Sequence, residues 1–356
     1  MSAVTQRANP LTAGRLPRWS NLAVLAASAA VFGVALGLTA AASGAAFPVP
    51  AFVIATVLGY LVLLVLLSRV VEGPRKAKDR LMRNLVVAAF LLALTPLISL
   101  IVTVVGRGAA RFDIAFFTES MRNVTGEGGG VLHAVVGTLE ITAAATLISV
   151  PIGLLTAIYL VEYGRGWLAR AITFFVDVMT GIPSIVAGLF AFSLFLLLFG
   201  PGSRMGLSGA VALSILMIPV VVRSSEEMLK LVPRDLREAS YALGVPKWRT
   251  ILKVVIPTAI AGISTGVMLA IARVIGETAP LLITAGFTQS MNYDLTDGDM
   301  MSLPVFVYNS YISQGVDAQA YIDRAWAGAL TLILIVMLLN LLARLVAKIF
   351  APKLGR

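Results

Sequence analysis

Arg273 and Glu277 are two charged residues four positions apart in an otherwise apolar stretch, LAIARVIGETAPLL, at 269–282. A bare charge in the middle of a bilayer is costly, so such residues are rare and usually face a protein interior or a water-filled path. An arginine keeps its charge and offers paired N–H donors to an anion, and a glutamate four positions later on a helix can pair with it. We therefore expect these two residues to have one of two roles. They line an anion path, or they form a structural ion pair that orients a helix.

The composition of the chain is that of a membrane protein. Of the 356 residues, 58% are hydrophobic and 13% are charged, whereas soluble domains contain about 45–50% and about 25%. We therefore predict an all-α, polytopic membrane protein. The chain has no cysteine, which excludes disulfides and thiolate chemistry. Its single histidine, His133, cannot form a histidine-rich metal site and is predicted to be interfacial.

Eight apolar stretches are long enough to cross a bilayer, because a spanning helix needs about 20 residues. These predicted spans are 22–43, 51–71, 84–106, 133–161, 171–199, 208–229, 255–277 and 326–349. The charged run RSSEEMLK, at 223–230, is predicted to end the sixth span early. The first apolar run is too long for a cleaved secretion signal and further spans follow it, so we expect no cleavage.

Lysine and arginine are distributed unequally between the two sides of the membrane. With the N-terminus placed in the cytoplasm, the inner segments carry 22 of these residues and the outer segments carry 5. Because positive residues accumulate in cytoplasmic segments, both termini are predicted to be cytoplasmic. This bias explains the formal net charge of +10, so we do not expect a nucleic-acid partner.

The longest inner segment, 223–253, is predicted to contain two short helices at the membrane surface. Pro233 suits the first turn of the first helix, and Gly244 suits its C-terminal cap. Pro246 is predicted to open the second helix, and Pro257 to start the next span. One face of the first helix is formed by Leu236, Ala239, Ala242 and Leu243. Such a ridge of small and apolar residues suits a groove on another protein.

This segment resembles the cytoplasmic pattern E-A-A-x3-G-x9-I-x-L-P of bacterial ABC importer permeases. The residues at the positions of the pattern are Glu238, Ala239, Ser240, Gly244, Val254, Ile256 and Pro257. Ser240, Val254 and Ile256 are conservative departures from it. The resemblance implies that this segment is a coupling loop that docks on a separate ATPase subunit.

The chain has no G-x-x-x-x-G-K-[ST] phosphate-binding loop. We therefore expect a transport subunit without its own ATPase site, which binds no cofactor and no metal. ATP and magnesium would be used by the partner ATPase.

Three stretches resemble the permeases of phosphate-specific (Pst) importers: VMTGIPSIVAGLF at 178–190, the coupling loop, and IARVIGETAPLL at 271–282. GETAPLL, followed by SLPVFVYN at 302–309, resembles the A-type subunit rather than its C-type sister. The resemblance implies a permease in the bacterial plasma membrane that imports inorganic phosphate by alternating access. It also implies three partners: a C-type sister permease, two copies of an ATPase, and an extracytoplasmic phosphate-binding protein.

The resemblance covers 84–349, which is the usual unit of six spans. The expected organisation is therefore 1–83 for the cytoplasmic N-terminus and two extra transmembrane helices, 84–349 for the permease domain, and 350–356 for a cytoplasmic tail.

The resemblance implies that Arg273 and Glu277 line the phosphate path. Glu277 would pair with Arg273 in the absence of substrate, release it when phosphate arrives and help to expel the anion. The TGIPSI stretch within the fifth span adds secondary candidates, because a broken helix frees backbone groups near a binding site. A packing kink is an equal interpretation. These candidates are Gly181, Pro183 and Ser184.

Two further acidic residues lie within predicted spans. Glu140 and Asp177 are each about two turns from a span end, roughly 10 Å deep. Each is interpreted as a gating residue, as a partner of Arg273 or as a side chain that reaches the interface. The acidic outer segment 287–324 lacks the spacing of a calcium-binding EF-hand and is predicted to be a solvated loop.

Two other transport functions stay open. One is import of a related oxyanion such as sulfate, molybdate or phosphonate. The other is ion-coupled secondary transport, with Glu140, Asp177 and Glu277 as a proton relay, although the coupling loop argues against it.

Overall fold

The computed structural model describes residues 16–17 and 19–350, and this part of the chain is helical with no strand. Its helices are α1 (Ser20–Ser43), α2 (Val49–Val71), α3 (Pro74–Gly108), α4 (Ile114–Thr118), α5 (Leu132–Ile158), α6 (Gly166–Thr180), α7 (Ser184–Phe199), α8 (Gly206–Lys230), α9 (Arg234–Ala242), α10 (Lys247–Thr250), α11 (Ile256–Val274), α12 (Ala279–Thr284), α13 (Leu303–Ile312) and α14 (Ala318–Phe350). One π-helical turn, Tyr159–Tyr163, follows α5, and a second, Ile251–Val255, precedes α11. The predicted all-α fold class is therefore confirmed.

Within the described residues, seven helical segments are long and apolar enough to cross a membrane. They are Ser20–Ser43, Val49–Val71, Pro74–Arg111, Leu132–Tyr163, Gly206–Lys230, Lys247–Val274 and Ala318–Leu345. They correspond to seven of the eight predicted spans, and α6 with α7 provides an eighth if the pair is counted as one span. The predicted fifth span, 171–199, is formed by α6 and α7, which are bent by 109° where they meet.

The bend between α6 and α7 has a local cause in the sequence. Pro183 has no N–H to donate, and the residue before a proline is disfavoured in the helical conformation. Two hydrogen bonds between residues three positions apart hold the turn. They run from Gly181 N–H to the Val178 carbonyl (3.0 Å) and from Ile182 N–H to the Met179 carbonyl (3.3 Å). A broken helix at TGIPSI, as the sequence predicts, is therefore confirmed.

The chain divides into two compact units, Met1–Ile101 and Val102–Arg356. In the first unit, α1 and α2 form a hairpin in which Gly59 lies against the ring of Phe32, so closely that a side chain at Gly59 would overlap the ring. Small residues that let helices approach closely are typical of packing within membranes.

A buried carboxylate organises the junction between α2 and α3 in this first unit. Glu72 accepts hydrogen bonds from Arg80 Nη2 (2.9 Å), Ser68 Oγ (2.8 Å) and the Leu16 backbone N–H (2.9 Å). Burial by itself raises the pKa of Glu72, but the hydrogen bonds and the charge of Arg80 together lower it to about 2. Glu72 therefore stays ionised and ties the start of α1 to the α2–α3 junction.

The core of the second unit is built on α8, which packs along α5 and α11. Gly153 of α5 lies against Val221 of α8, with the position of an added Cβ only 2.8 Å from the Val221 Cβ. Gly266 of α11 lies equally close to Ser224. The absence of side chains at these glycines lets the helices approach closely, as is usual where lipid supplies no hydrophobic driving force between them.

One end of this bundle carries α9, and we call it the α9 end. There, α8 continues through the charged run to Lys230, so the expectation that RSSEEMLK ends the sixth span early is wrong. Its charges are partly neutralised within the helix, because Glu226 pairs with Arg223 (2.9 Å) and with Lys230 (2.6 Å). The α8–α9 connection is therefore only three residues long, 231–233.

The second short helix of the loop, α10, is continuous with the spanning helix that follows it. α10 leads through the π-helical turn Ile251–Val255 directly into α11, so Pro257 lies in the first turn of α11 and does not start a new segment. Pro257 cannot donate a backbone hydrogen bond to the preceding turn, and the wider π-helical turn accommodates this missing donor.

The opposite end of the bundle carries α13, and we call it the α13 end. Here Arg324 Nη1 donates to the carbonyls of Gly126 (2.7 Å) and Gly128 (2.8 Å), which ties the glycine-rich segment to α14. His133 is 2% exposed and packs edge-on against Phe306, so its side chain lies in the protein interior.

The acidic segment 287–324 is only partly the solvated loop that the sequence predicts. It contains α13, whose first residues Leu303 to Phe306 are buried in the core. Among the described residues, no group of three or more His, Cys, Asp or Glu side chains is placed to hold a metal ion.

Candidate functional site

Two interrupted helices approach each other within the second unit. One interruption separates α6 from α7, and the other, at 275–278, separates α11 from α12. Gly188 of α7 packs on Pro280 of α12, with the position of an added Cβ 2.7 Å from the Pro280 Cα. Gly188 is four residues beyond Ser184, and Pro280 is three beyond Glu277. The predicted path residues therefore lie at or beside two helix breaks, and the helices that follow these breaks, α7 and α12, contact each other.

The break after α11 lies well inside the bundle. Gly266 faces Ser224 and Gly262 faces Met228, so α11 runs antiparallel to α8. Continuing this register places Val274 opposite Leu216, ten residues after the start of α8. At a rise of about 1.5 Å per residue, the break is roughly 15 Å from that end of α8, near the middle of a spanning helix.

Arg273 lies one residue before the end of α11 and is exposed on the surface of this chain. In the part of the chain that the structure describes, its guanidinium has no hydrogen bond and no ion pair. Its neighbours on the same face of α11, Thr265 and Leu269, are also exposed, as is Gly276 in the break that follows. A charge that faces lipid at this depth is expensive, so this face of α11 requires water or another protein chain.

Glu277 does not share a helical turn with Arg273. α11 ends at Val274, and the Glu277 N–H donates to the Val274 carbonyl (3.1 Å) in the following turn. Glu277 is half-buried, and no ion pair joins it to Arg273 among the described residues. The expectation of one continuous helix with the two charges paired is therefore corrected: they lie on either side of a helix end.

The remaining acidic residues within the spans have other surroundings. Asp177 of α6 forms an ion pair with Arg223 of α8, and Arg273 is not its partner. Glu140 of α5 is half-buried, and its Oε2 has no hydrogen-bond partner. The sequence analysis places Arg223 in the cytoplasmic segment, but α8 continues for seven residues beyond it.

The coupling pattern forms a compact hairpin at the α9 end. Glu238 and Ala239 are exposed, whereas Ser240 is buried and its Oγ lies 2.8 Å from Thr250 Oγ1 of α10. Gly244 has φ +75°, the left-handed conformation that glycine adopts without strain after a helix. The predicted C-terminal cap is therefore confirmed, and Pro257 lies exposed in the first turn of α11.

The face of α9 that the sequence singles out is not covered by the rest of this chain. All four of its residues are exposed, Leu236, Ala239, Ala242 and Leu243. The opposite side of α9 carries Arg237, which forms an ion pair with Glu162 of the π-helical turn that follows α5. This contact joins residues 75 positions apart, and no local sequence pattern predicts it.

A bundle of apolar helices long enough to span a membrane, two helix breaks within that bundle and an uncovered surface hairpin are typical of a polytopic transport permease. Residues 149–356 match the family of binding-protein-dependent transport system inner membrane components. The chain belongs to this family and, through the relatives described next, to the PstA permeases of phosphate transport systems.

The chain is 46% identical over 275 residues to the phosphate transport system permease protein PstA 1 of Mycobacterium tuberculosis, which covers 76% of this chain and 89% of that protein. It is 41% identical over 280 residues to PstA of Yersinia pestis, covering 78% and 92%. The resemblance to Pst permeases is thereby confirmed.

Solved structures support the fold. A chain of a bacterial alginate ABC transporter, in complex with an alginate-bound periplasmic protein, aligns with a TM-score of 0.56 at 13% identity, over 75% of this chain and 93% of that chain. A second structure of a bacterial ABC transporter for alginate import gives a TM-score of 0.54 at 13% identity, over 76% and 96%. At these identities the likeness concerns the fold alone.

Proposed function

We propose that this chain is the A-type transmembrane permease of an ATP-driven importer of inorganic phosphate. Its 46% identity to a PstA permease, over most of both chains, is the observation that carries the proposal. The uncovered hairpin at α9 supports it, because a permease that uses ATP through a partner needs a surface on which that partner can act.

Arg273 is the proposed phosphate-binding residue of the path. Arginine retains its charge in a low-dielectric site, and its guanidinium donates two parallel N–H bonds to an oxyanion. Its exposure on α11, without a partner among the described residues, leaves these donors free for a substrate in a path shared with a second permease.

Glu277 is the proposed counter-charge. A lone guanidinium in a dry site would hold phosphate strongly, and a carboxylate close by weakens that attraction through repulsion of the anion. Because Glu277 lies beyond the end of α11, it can change its distance from Arg273 when the break between α11 and α12 moves. The neighbouring break adds Gly181, Pro183 and Ser184 as secondary path residues.

The proposed assembly contains a C-type sister permease, two ATPase copies that bind ATP and magnesium, and an extracytoplasmic phosphate-binding protein. The chain itself would bind no cofactor, no metal and no nucleic acid and would carry no ATPase site. We place it in the bacterial plasma membrane with both termini cytoplasmic, so that the α9 end faces the ATPase. The assembly would move phosphate by alternating access.

The test is uptake of radiolabelled phosphate by the complete complex in liposomes, with R273Q and R273K beside wild type. Hydrogen bonds to a charged group contribute about 1.5–3 kcal/mol, so R273Q should lower the rate at least about tenfold. R273K keeps the charge but loses the paired donors, and its rate should fall between the two. R170Q, at an exposed arginine of α6, is the matched control and should transport normally.

The same assay decides the substrate. Excess sulfate, molybdate or phosphonate should leave phosphate uptake unchanged, and strong competition by one of them would assign the importer to that oxyanion. Normal uptake by R273Q, at equal amounts of assembled complex, would remove Arg273 from the path.

A further inference from the structure

Glu162 lies at the α9 end, in the π-helical turn Tyr159–Tyr163 that follows α5. Its side chain is only 5% exposed. Its Oε1 accepts a hydrogen bond from Arg237 Nε of α9 (3.0 Å) and lies 2.9 Å from Arg237 Nη2, so the two side chains form an ion pair. A hydrogen bond between two oppositely charged groups is shorter and stronger than one between neutral groups.

The guanidinium of Arg237 also binds the end of α8. Nη1 donates to the Val232 carbonyl (2.6 Å), and Nη2 donates to the Leu229 carbonyl (3.0 Å). The last carbonyls of a helix have no partner within the helix, so an arginine here satisfies groups that would otherwise need water. One side chain of α9 therefore contacts the ends of both α5 and α8.

The α10 side of the hairpin is attached to the same turn. Lys247 Nζ donates to the Glu162 carbonyl and lies 4.6 Å from the centre of the Tyr163 ring. The Ser240–Thr250 hydroxyl contact joins α9 to α10. The buried side of the hairpin is thus fastened to the end of α5, while the opposite face of α9 is exposed.

The connectivity of the chain makes the contact to α5 distinctive. α9 is joined to α8 through 231–233, and the hairpin continues through α10 into α11, so both helices are linked to it covalently. α5 is remote in sequence and reaches α9 through the Arg237–Glu162 pair. A displacement of α9 would therefore reach α8 and α11 through the chain. The end of α5 is reached through contacts: directly from α9 by this pair, and also by Lys247 and by the packing of α5 on α8.

We infer that Arg237 and Glu162 are positioning residues that transmit the displacement of α9 to α5 during each ATP-driven cycle. The inference rests on the proposed function, in which the exposed face of α9 docks on the ATPase. A largely buried, hydrogen-bonded ion pair suits this role, because removal of one partner leaves an uncompensated charge and releases the contact.

The experiment measures phosphate transported per ATP hydrolysed by the complete complex in liposomes. Variants E162Q, R237Q and the double variant E162Q/R237Q are compared with wild type. A coupling energy of about 1–3 kcal/mol corresponds to a change of roughly 5-fold or more, so the transport ratio should fall by at least about 5-fold in R237Q, while ATP hydrolysis persists. Residues that act as a unit are not additive, so the double variant should be no worse than R237Q.

A matched control is E227Q, at an exposed glutamate near the end of α8 that has no side-chain partner in the described part of the chain. Its transport ratio should equal that of wild type. An unchanged ratio in R237Q, at equal amounts of complex, would overturn the inference. So would a parallel loss of complex, hydrolysis and transport, because that pattern indicates a structural role alone.

A second experiment keeps the inference testable if R237Q assembles poorly. The chain has no cysteine, so E162C/R237C introduces the only two thiols of this subunit. Bridging them with a short bifunctional methanethiosulfonate reagent should restore the transport ratio, and reduction of the bridge should abolish it again. A bridge that forms without restoring the ratio counts against the inference. Absence of phosphate transport in wild type would instead contradict the proposed function.

Discussion

The exposed position of Arg273 indicates that water or a second protein chain borders α11. Arg273 is exposed at the end of α11, level with the middle of α8, and in the described part of the chain nothing neutralises it. Lipid cannot solvate a guanidinium cheaply at that depth. The exposed face of α11 must therefore border water or a second permease, and both are expected for an anion path between two subunits.

Gly188 is the residue at which the geometry of the two breaks can be tested most directly. An added Cβ would lie 2.7 Å from the Cα of Pro280 and 3.1 Å from its Cβ, so even alanine requires a backbone shift. Overpacking of this kind costs about 1–3 kcal/mol. We expect G188V to separate α7 from α12, to lower the midpoint of thermal unfolding and to reduce phosphate uptake per assembled complex more than G188A does.

The control for this prediction is G106A in α3, where an added Cβ would meet nothing within 4 Å. It should be neutral or slightly stabilising, because alanine favours a helix over glycine. Normal unfolding and uptake in G188V would show that α7 and α12 do not pack as closely as described.

At the scale of elements, the sequence predicts the spanning helices well and their interruptions unevenly. The break at Gly181–Pro183 can be predicted from the sequence, because two helix-breaking residues interrupt one apolar run. The end of α11 at Val274 has a weaker signal, since the apolar pattern continues and Pro280 follows only six residues later. Pro280 provides no N–H for a continuing helix and Gly276 is a poor helix former, which explains the break in retrospect.

Contacts between distant elements are what the sequence could not provide. Glu238, Ala239, Ser240 and Gly244 are found from a local pattern, and Arg273 from its unusual surroundings. Arg237–Glu162 and Arg223–Asp177 depend on how α5, α6, α8 and α9 pack. Their partners are separated by 75 and 46 positions, and no periodicity within one helix relates them.

The bend between α6 and α7 can be measured with spin labels, because the cysteine-free chain accepts labels only where cysteines are introduced. We propose labels at Arg170 and Leu196, on the two sides of the break. With a rise of about 1.5 Å per residue, a continuous helix would separate these backbone positions by roughly 39 Å. With the 109° bend, the same rise gives roughly 23 Å.

We expect the shorter distance in wild type and a longer, broader distribution in G181A/P183A, which restores a helix-compatible sequence. A distance near that of a continuous helix in wild type would contradict the break. Labels at two positions within α8 provide the reference for an uninterrupted helix.

At the scale of the whole molecule, the distribution of charge and the position of α9 make one prediction about orientation. The segments at the α9 end include the heavily basic loops, and the positive-inside bias places such loops in the cytoplasm. Arg165, between α5 and α6, is exposed at the α9 end, and Val316, between α13 and α14, is 99% exposed at the α13 end. The two positions should therefore be accessible from opposite sides of the membrane.

An impermeant maleimide should label Val316→Cys in intact cells whose outer membrane has been made permeable, or in right-side-out vesicles. It should label Arg165→Cys only in inverted vesicles, since that residue would face the cytoplasm together with the hairpin that we propose docks on the ATPase. The unsubstituted chain is the blank, because it contains no thiol. The reverse pattern would place α9 on the outer side, where it cannot meet a cytoplasmic ATPase, and would contradict both the proposed coupling and the transmission through Arg237 and Glu162.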